Sequence, residues 1–186
     1  MILWVNFMNN FSSYAFIKAL SNILEEDAVV VTANGEASIS CFRDFEVKKG
    51  QRLIANSGCA SMGYGLPASI GACVANDRKT VICLEGDGSI QMNIQELQTV
   101  VHENLPIKIF VFNNGGYKSI QNTQDKYFDG YRVGADEKSG VSFPNITRVA
   151  RAYDIETSVI GDTKDLHKKL REIINTPRPH LCELVL

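Results

Sequence analysis

Two short polar runs carry the chemistry this sequence can offer. One is Gly86-Asp87-Gly88-Ser89; the other is Asn113-Asn114-Gly115-Gly116, whose Asn114 lies 27 residues after Asp87. A carboxylate, a carboxamide and a backbone carbonyl two residues beyond Asn114 form a hard-oxygen set suited to Mg²⁺ or Ca²⁺. Such a cation needs further oxygen ligands, and a diphosphate carries them. The Gly86–Ser89 turn opens a predicted helix, whose first N–H groups have no partner within the helix and attract an anion. Glycines on both sides of Asp87 let the backbone come close to that anion without a Cβ in the way. Each run alone is also an ordinary turn, because Asn, Asp and Gly populate turns for local reasons. Only their joint occurrence at two strand ends is specific.

The apolar runs Thr80–Glu85 and Ile107–Phe112 immediately precede the two turns and read as buried strands. In a parallel sheet the carboxyl ends of neighbouring strands line one edge, so both turns can meet there. Further strands are predicted over Ala28–Val31, Arg52–Ala55, Glu156–Ile160 and Leu181–Leu186. Helices are predicted over Ala15–Leu24 (capped by Ser12 or Ser13), Gly63–Ala75, Asn93–His102, from near Gly116, over Ile146–Ala152 and over Lys164–Ile174. Asp125–Pro144 reads as one long irregular loop. Strands alternating with helices predict an α/β fold, a doubly wound and mostly parallel sheet with helices on both faces.

The stretch from Val81 to Thr123 (VICLEGDGSIQMNIQELQTVVHENLPIKIFVFNNGGYKSIQNT) resembles the cofactor domain of thiamine-diphosphate-dependent enzymes, and its Gln95–Asn114 part is similar to the acetolactate synthase side of that family. The resemblance implies the thiamine-diphosphate-binding fold, a single C-terminal cofactor domain over residues 1–186, and thiamine diphosphate with Mg²⁺ (or Ca²⁺ or Mn²⁺) as cofactors. It implies that Asp87, the Asn114 side chain and the Gly116 carbonyl bind the metal. Gly86, Gly88 and Ser89 would meet the diphosphate, as would the backbone of the Gly35-Glu36-Ala37 turn. Ser61-Met62-Gly63-Tyr64-Gly65-Leu66-Pro67 resembles the family segment whose methionine props the cofactor into a bent shape. Met62 takes that part, the Ala60 carbonyl accepts from the aminopyrimidine, and Tyr117, with Ser119 and Gln121, faces the substrate region.

The family also uses a glutamate from a separate pyrimidine-binding domain, which this sequence does not contain. The resemblance therefore implies an incomplete 2-oxo-acid decarboxylase or carboligase that assembles as a homo-oligomer or with a partner chain. Two departures bear on the reaction: Ile120 stands where pyruvate decarboxylases carry a glutamate, and Lys118-Ser119-Ile120 stands where acetolactate synthases carry Gly-Met-Val. Flavin binds a middle domain that this sequence lacks, so FAD dependence stays open. The other readings are a non-catalytic domain serving assembly or regulation and, ranked last, a dinucleotide-binding oxidoreductase. Gly63-Tyr64-Gly65 lacks the third glycine of that fingerprint.

A net charge of −2 with no basic stripe gives no support for nucleic acid or an anionic membrane as partner. Met1–Val5 is apolar but has no basic flank and stops at Asn6, so neither a signal peptide nor a membrane span is expected. Five cysteines without metal spacing fit a reducing compartment, and the cytoplasm is the expected location. The histidines, at 102, 167 and 180, read as structural or exposed.

Overall fold

In the computed structural model, which describes residues 11–186, the apolar runs become strands, the inner four buried on both sides and the two at the edges partly exposed. They are β1 (Val29–Thr32), β2 (Arg52–Ala55), β3 (Val81–Gly86), β4 (Ile107–Asn113), β5 (Glu156–Ile160) and β6 (His180–Val185). Every pairing is parallel and the strand order is β2-β1-β3-β4-β6-β5. The order reverses between β1 and β3, which creates a crevice beyond their carboxyl ends. The helices are α1 (Ser13–Ile23), α2 (Gly35–Asp44), α3 (Gly65–Ala75), α4 (Glu96–His102), α5 (Lys118–Tyr127), α6 (Ile146–Ala152) and α7 (Leu166–Ile174).

Because side chains alternate along a strand, the sheet has two cores. Phe110 and Phe112 of β4 point to the side of α1, α2 and α7, where the Phe16 ring meets them at 5.1 and 5.6 Å. Ile107, Ile109 and Val111 point the other way, toward Leu66 and Cys73 of α3, Leu97 of α4 and Ala150 of α6. Ser12 caps α1 by accepting the Ala15 N–H, as expected. The doubly wound sheet stands, and every strand pair is parallel. Four cysteines are buried, Cys59 is exposed, and none is paired. No described helix is long and apolar enough to cross a membrane; the expectation for Met1–Asn6 lies outside the described residues.

Several boundaries differ from the sequence-based expectation. Helix α2 was not expected at all: its glycine start and two serines hide the periodicity, and Ser40 instead bonds back to the Glu36 carbonyl at 2.7 Å. The turn after Ser89 is a 3-10 turn over Ile90–Asn93, and α4 starts only at Glu96. Helix α5 extends to Tyr127, so the irregular segment starts later. That segment holds a 3-10 turn, Glu137–Ser139, in which Asp136 and Ser139 cap each other.

At the amino ends of β4 and β6 lies a buried polar cluster. The Lys108 ammonium donates to the Thr176 carbonyl at 2.6 Å, the Thr176 hydroxyl at 2.9 Å and the Arg178 carbonyl, which pins the turn between α7 and β6. Burial pushes this ammonium down to about 8. Beside it, His180 Nε2 lies 2.9 Å from the Ser158 hydroxyl, Nδ1 has no hydrogen-bond partner among the described residues, and Glu156 is 4.0 Å from that nitrogen. Burial first and the Lys108 charge second lower the His180 pKa, against the opposing pull of Glu156. The unfolded chain therefore binds a proton on this ring more readily than the fold does, and stability falls as pH drops through the unfolded histidine range. Urea midpoints measured from about pH 7.5 to about pH 5.5 are expected to decline more steeply in the native protein than in His180→Gln. Parallel profiles would remove His180 from the account.

Candidate functional site

The carboxyl ends of β1, β3 and β4 surround an open cavity of about 270 Å³. Three turns build it. From β1 come Asn34, Gly35, Glu36 and Ala37; from β3 come Gly86, Asp87, Gly88 and Ser89; from β4 come Asn114, Gly116 and Tyr117, with the first turn of α5 behind them. Met62 closes one side and is partly exposed. The sequence-predicted residues thus lie together, apart from Ala60 and Gln121. Ala60 is exposed, is not among the lining residues and holds a left-handed φ of 48°, an uncommon backbone for a residue with a Cβ. Gln121 is buried and turns inward, donating to the Ala135 carbonyl at 3.1 Å, so it holds a loop and does not face the cavity.

The two polar turns are joined directly. Asp87 Oδ1 accepts the Gly88 N–H at 2.8 Å and Oδ2 accepts the Gly116 N–H at 3.2 Å, while the Asp87 N–H donates to the Phe112 carbonyl at 3.1 Å. Burial raises the carboxyl above its ordinary pKa, opposed by those N–H groups. The pleat sends the two asparagines in opposite directions. Asn113 donates to Glu183 at 2.6 Å on the far face, whereas Asn114 faces the cavity with Asp87. Asn114 Oδ1 is buried and has no hydrogen-bond partner among the described residues. A buried orphan acceptor is costly unless something completes it, and a divalent cation could do so. The Gly116 carbonyl accepts the Lys118 N–H at 3.0 Å and keeps a second lone pair. Among the described residues no three His, Cys, Asp or Glu side chains cluster as metal ligands, so a cation here would rest on one carboxylate plus neutral oxygens.

The glycines of the site are steric requirements. A Cβ on Gly88 would run into the Tyr117 ring and lie 2.8 Å from Phe143; those two rings meet edge to face at 5.2 Å. Gly116 has a φ of 132°, and a Cβ there would lie 2.5 Å from the Ala135 carbonyl oxygen. That carbonyl also accepts the Tyr117 N–H at 2.9 Å, so the segment after α5 braces the Asn113–Gly116 turn. Arg132 holds this segment by a two-pronged contact with Asp125 and a 2.6 Å contact with Asp136.

Sequence reasoning missed the second tier. The Ser89 hydroxyl accepts the Gly63 N–H at 3.0 Å and faces the buried Glu85 carboxylate. Glu85 Oε1 accepts the Leu66 N–H at 3.0 Å at the start of α3, and burial pushes its carboxyl up to about 7. Asn93 donates to the Gly63 carbonyl at 2.7 Å. Glu36 is tied to α1 by a short hydrogen bond from the Ser13 hydroxyl, which leaves the α2 N–H groups as that turn's donors. A polar residue immediately before the GDG run was the available signal for Glu85. Nothing in the sequence marked Asn93.

Residues 33–184 match the family described as thiamine pyrophosphate enzyme, C-terminal TPP binding domain, pyrophosphate and diphosphate being one group. Among similar curated proteins is the acetolactate synthase large subunit of Cyanidium caldarium, 35% identical over 170 residues that cover 91% of this chain and 28% of that protein. The chloroplastic acetolactate synthase 3 of Brassica napus is 31% identical over 173 residues, or 91% of this chain and 26% of that protein. The chloroplastic acetolactate synthase 2 of Zea mays is 29% identical over 174 residues, covering 91% and 27%. The chain spans about a quarter of the length of these relatives. They overturn the cytoplasmic expectation, since the plant relatives are chloroplastic proteins. Unpaired thiols, on which that expectation leaned, do not distinguish one reducing compartment from another. With the sheet, the paired turns and the match over 33–184 all in one register, the chain belongs to the C-terminal TPP-binding domains of thiamine pyrophosphate enzymes, on the acetolactate synthase-like side of that family.

Proposed function

We propose that this chain, as one domain over residues 1–186, holds the diphosphate end of thiamine diphosphate through Mg²⁺ in a 2-oxo-acid decarboxylase or carboligase resembling acetolactate synthase. The observation that carries this reading is the buried, partnerless Asn114 Oδ1 beside the Asp87 carboxylate at the joined ends of β3 and β4. Asp87, Asn114 and the Gly116 carbonyl are the cation's protein ligands, and Ca²⁺ or Mn²⁺ suits the same oxygens. The backbone N–H groups of Ser89 and of Gly35, Glu36 and Ala37 receive the diphosphate, where free donors and the positive end of α2 favour negative charge, while Gly88, its N–H held by Asp87, lets the backbone come close. When bound, thiamine diphosphate supplies the electron sink that lets a 2-oxo acid lose CO₂; this chain supplies placement and field.

Met62 stands at the cavity wall where it supports the cofactor's rings, and Tyr117 with Phe143 covers the Gly88 side and keeps water off it. The glutamate that contacts the pyrimidine comes from another domain or a partner chain, so the isolated chain binds cofactor without turning over substrate. Calorimetric titration with thiamine diphosphate tests the reading: saturable binding of one cofactor per chain with Mg²⁺, and its loss on chelation, is expected. Absence of binding both alone and with a pyrimidine-domain partner would instead assign the chain to assembly or regulation.

A further inference from the structure

The Met62 segment has no regular structure of its own, yet it is tied to the Gly86–Ser89 turn at several atoms. The Gly63 N–H donates to the Ser89 hydroxyl at 3.0 Å and the Gly63 carbonyl accepts from Asn93 at 2.7 Å, so both polar atoms of one residue are taken by the element that follows β3. Two residues on, Gly65 starts α3, and the Leu66 N–H donates to Glu85 at 3.0 Å. The fit is close. A Cβ on Gly63 would lie 2.6 Å from Met92 Cβ, and one on Gly65 would lie 2.5 Å from Glu85 Oε1. Gly63 is also held at a φ of 77°, where a Cβ is strained in any case. Glu85 is fully buried with Gly86 next to it, and Ser89 is nearly so.

We propose that Glu85, Ser89 and Asn93 form a positioning clamp that fixes Ala60–Gly65, and with it Met62, against the diphosphate turn, so that the ring half and the phosphate half of the cofactor are held in one register. The inference rests on the thiamine diphosphate reading of the cavity. Its physical basis is that Met62 is partly exposed and lies in a loop, so its aim depends on the residues on either side of it. Hydrogen bonds to both polar atoms of Gly63, one buried and one part-buried, plus a buried carboxylate at the α3 start, restrain the loop. Glu85, Ser89 and Asn93 act through backbone atoms of the loop, and Asn93 is not a lining residue of the cavity.

Two probes separate the halves of the site. Inorganic pyrophosphate with Mg²⁺ reports the phosphate half alone; thiamine diphosphate with Mg²⁺ reports both halves. In the full chain, Asn93→Ala and Glu85→Ala are expected to leave the pyrophosphate Kd within about twofold and to weaken thiamine diphosphate about tenfold, the upper range for losing one well-made hydrogen bond to a placed group. Glu85→Gln keeps the Oε1 acceptor and is expected to recover most of the loss. In parallel, amide hydrogen exchange at Gly63 and Leu66 is expected to accelerate in Asn93→Ala and Glu85→Ala without cofactor. Equal weakening of both probes, unchanged affinity for both, or unchanged exchange would each overturn the clamp. If Glu85→Ala does not fold, Asn93→Ala alone decides the matter, because its side chain is replaced near the surface. A native chain that binds neither probe, yet shows protected Gly63 and Leu66 amides, removes the cofactor reading and with it the clamp's role. A native chain that binds both probes equally well removes the clamp alone.

Discussion

Asn114→Ala is expected to weaken Mg²⁺-dependent binding of thiamine diphosphate by about 100-fold or more, and Asp87→Ala to abolish it. Losing a residue that merely supports a metal ligand costs about 10- to 100-fold, so losing a ligand belongs at or beyond the upper end. The two variants should differ in stability. Asn114 Oδ1 is buried without a partner among the described residues, so its removal takes away an unsatisfied acceptor and leaves the cation-free fold as stable as before or slightly more so. Asp87 is different, because its carboxylate accepts N–H groups from both turns at 2.8 and 3.2 Å. Asp87→Ala leaves those donors without an acceptor and should lower the urea midpoint even without metal. Calorimetry with Mg²⁺ and a denaturation series on the cation-free proteins check both halves. Undiminished affinity in Asn114→Ala would contradict the ligand assignment outright.

Gly116→Ala is expected to destabilise the fold by about 2–6 kcal/mol and to carry cofactor affinity down with it. Two costs add. A backbone φ of 132° is almost confined to glycine, a strain of about 1–3 kcal/mol for any other residue. The new Cβ would also lie 2.5 Å from the Ala135 carbonyl oxygen and 2.9 Å from Gln121 Nε2, and crowding of this kind costs about 1–3 kcal/mol. Gly115→Ala is the control: its φ is 74°, but nothing lies within 4 Å of its Cβ. That change should cost only the left-handed penalty of about 1–2 kcal/mol. Urea denaturation of the two variants separates crowding from backbone strain. Equal losses would mean that the segment around Ala135 does not brace the turn.

The sheet was legible because its inner strands, β1, β3, β4 and β6, are largely apolar runs buried on both faces, a pattern that survives without knowledge of tertiary contacts. Helix α2 was hidden for the opposite reason. Its serines satisfy themselves on the backbone one turn earlier, so its core face reduces to Ala37, Ser40 and Cys41, too small to show as a stripe. Within the site, residue type predicted that Asp87 and Asn114 come together. It could not tell that Asn113 belongs to Glu183 on the far face, because that follows from strand register. The same limit applies to Gln121, which was expected to face the substrate region. Its amide is drawn inward by the Ala135 carbonyl, contributed by a loop that had no readable structure. Ser89 shows a third case: its backbone was read correctly as part of the turn, while its hydroxyl is engaged by Gly63, 26 residues earlier.

The cytoplasmic expectation failed for want of any residue that carried it. Cysteine spacing and the first few residues bear on oxidation and export through a membrane, and neither says which reducing compartment holds the protein.

The convergence of two turns on one cation is tested most directly by a crystal of the chain with Mn²⁺ and thiamine diphosphate, read by anomalous scattering. A single Mn²⁺ peak between the oxygens of Asp87 and Asn114, with diphosphate density on its other side, is the predicted result. A peak elsewhere, or ordered diphosphate at the Gly86–Ser89 turn with no metal beside Asn114, would contradict it.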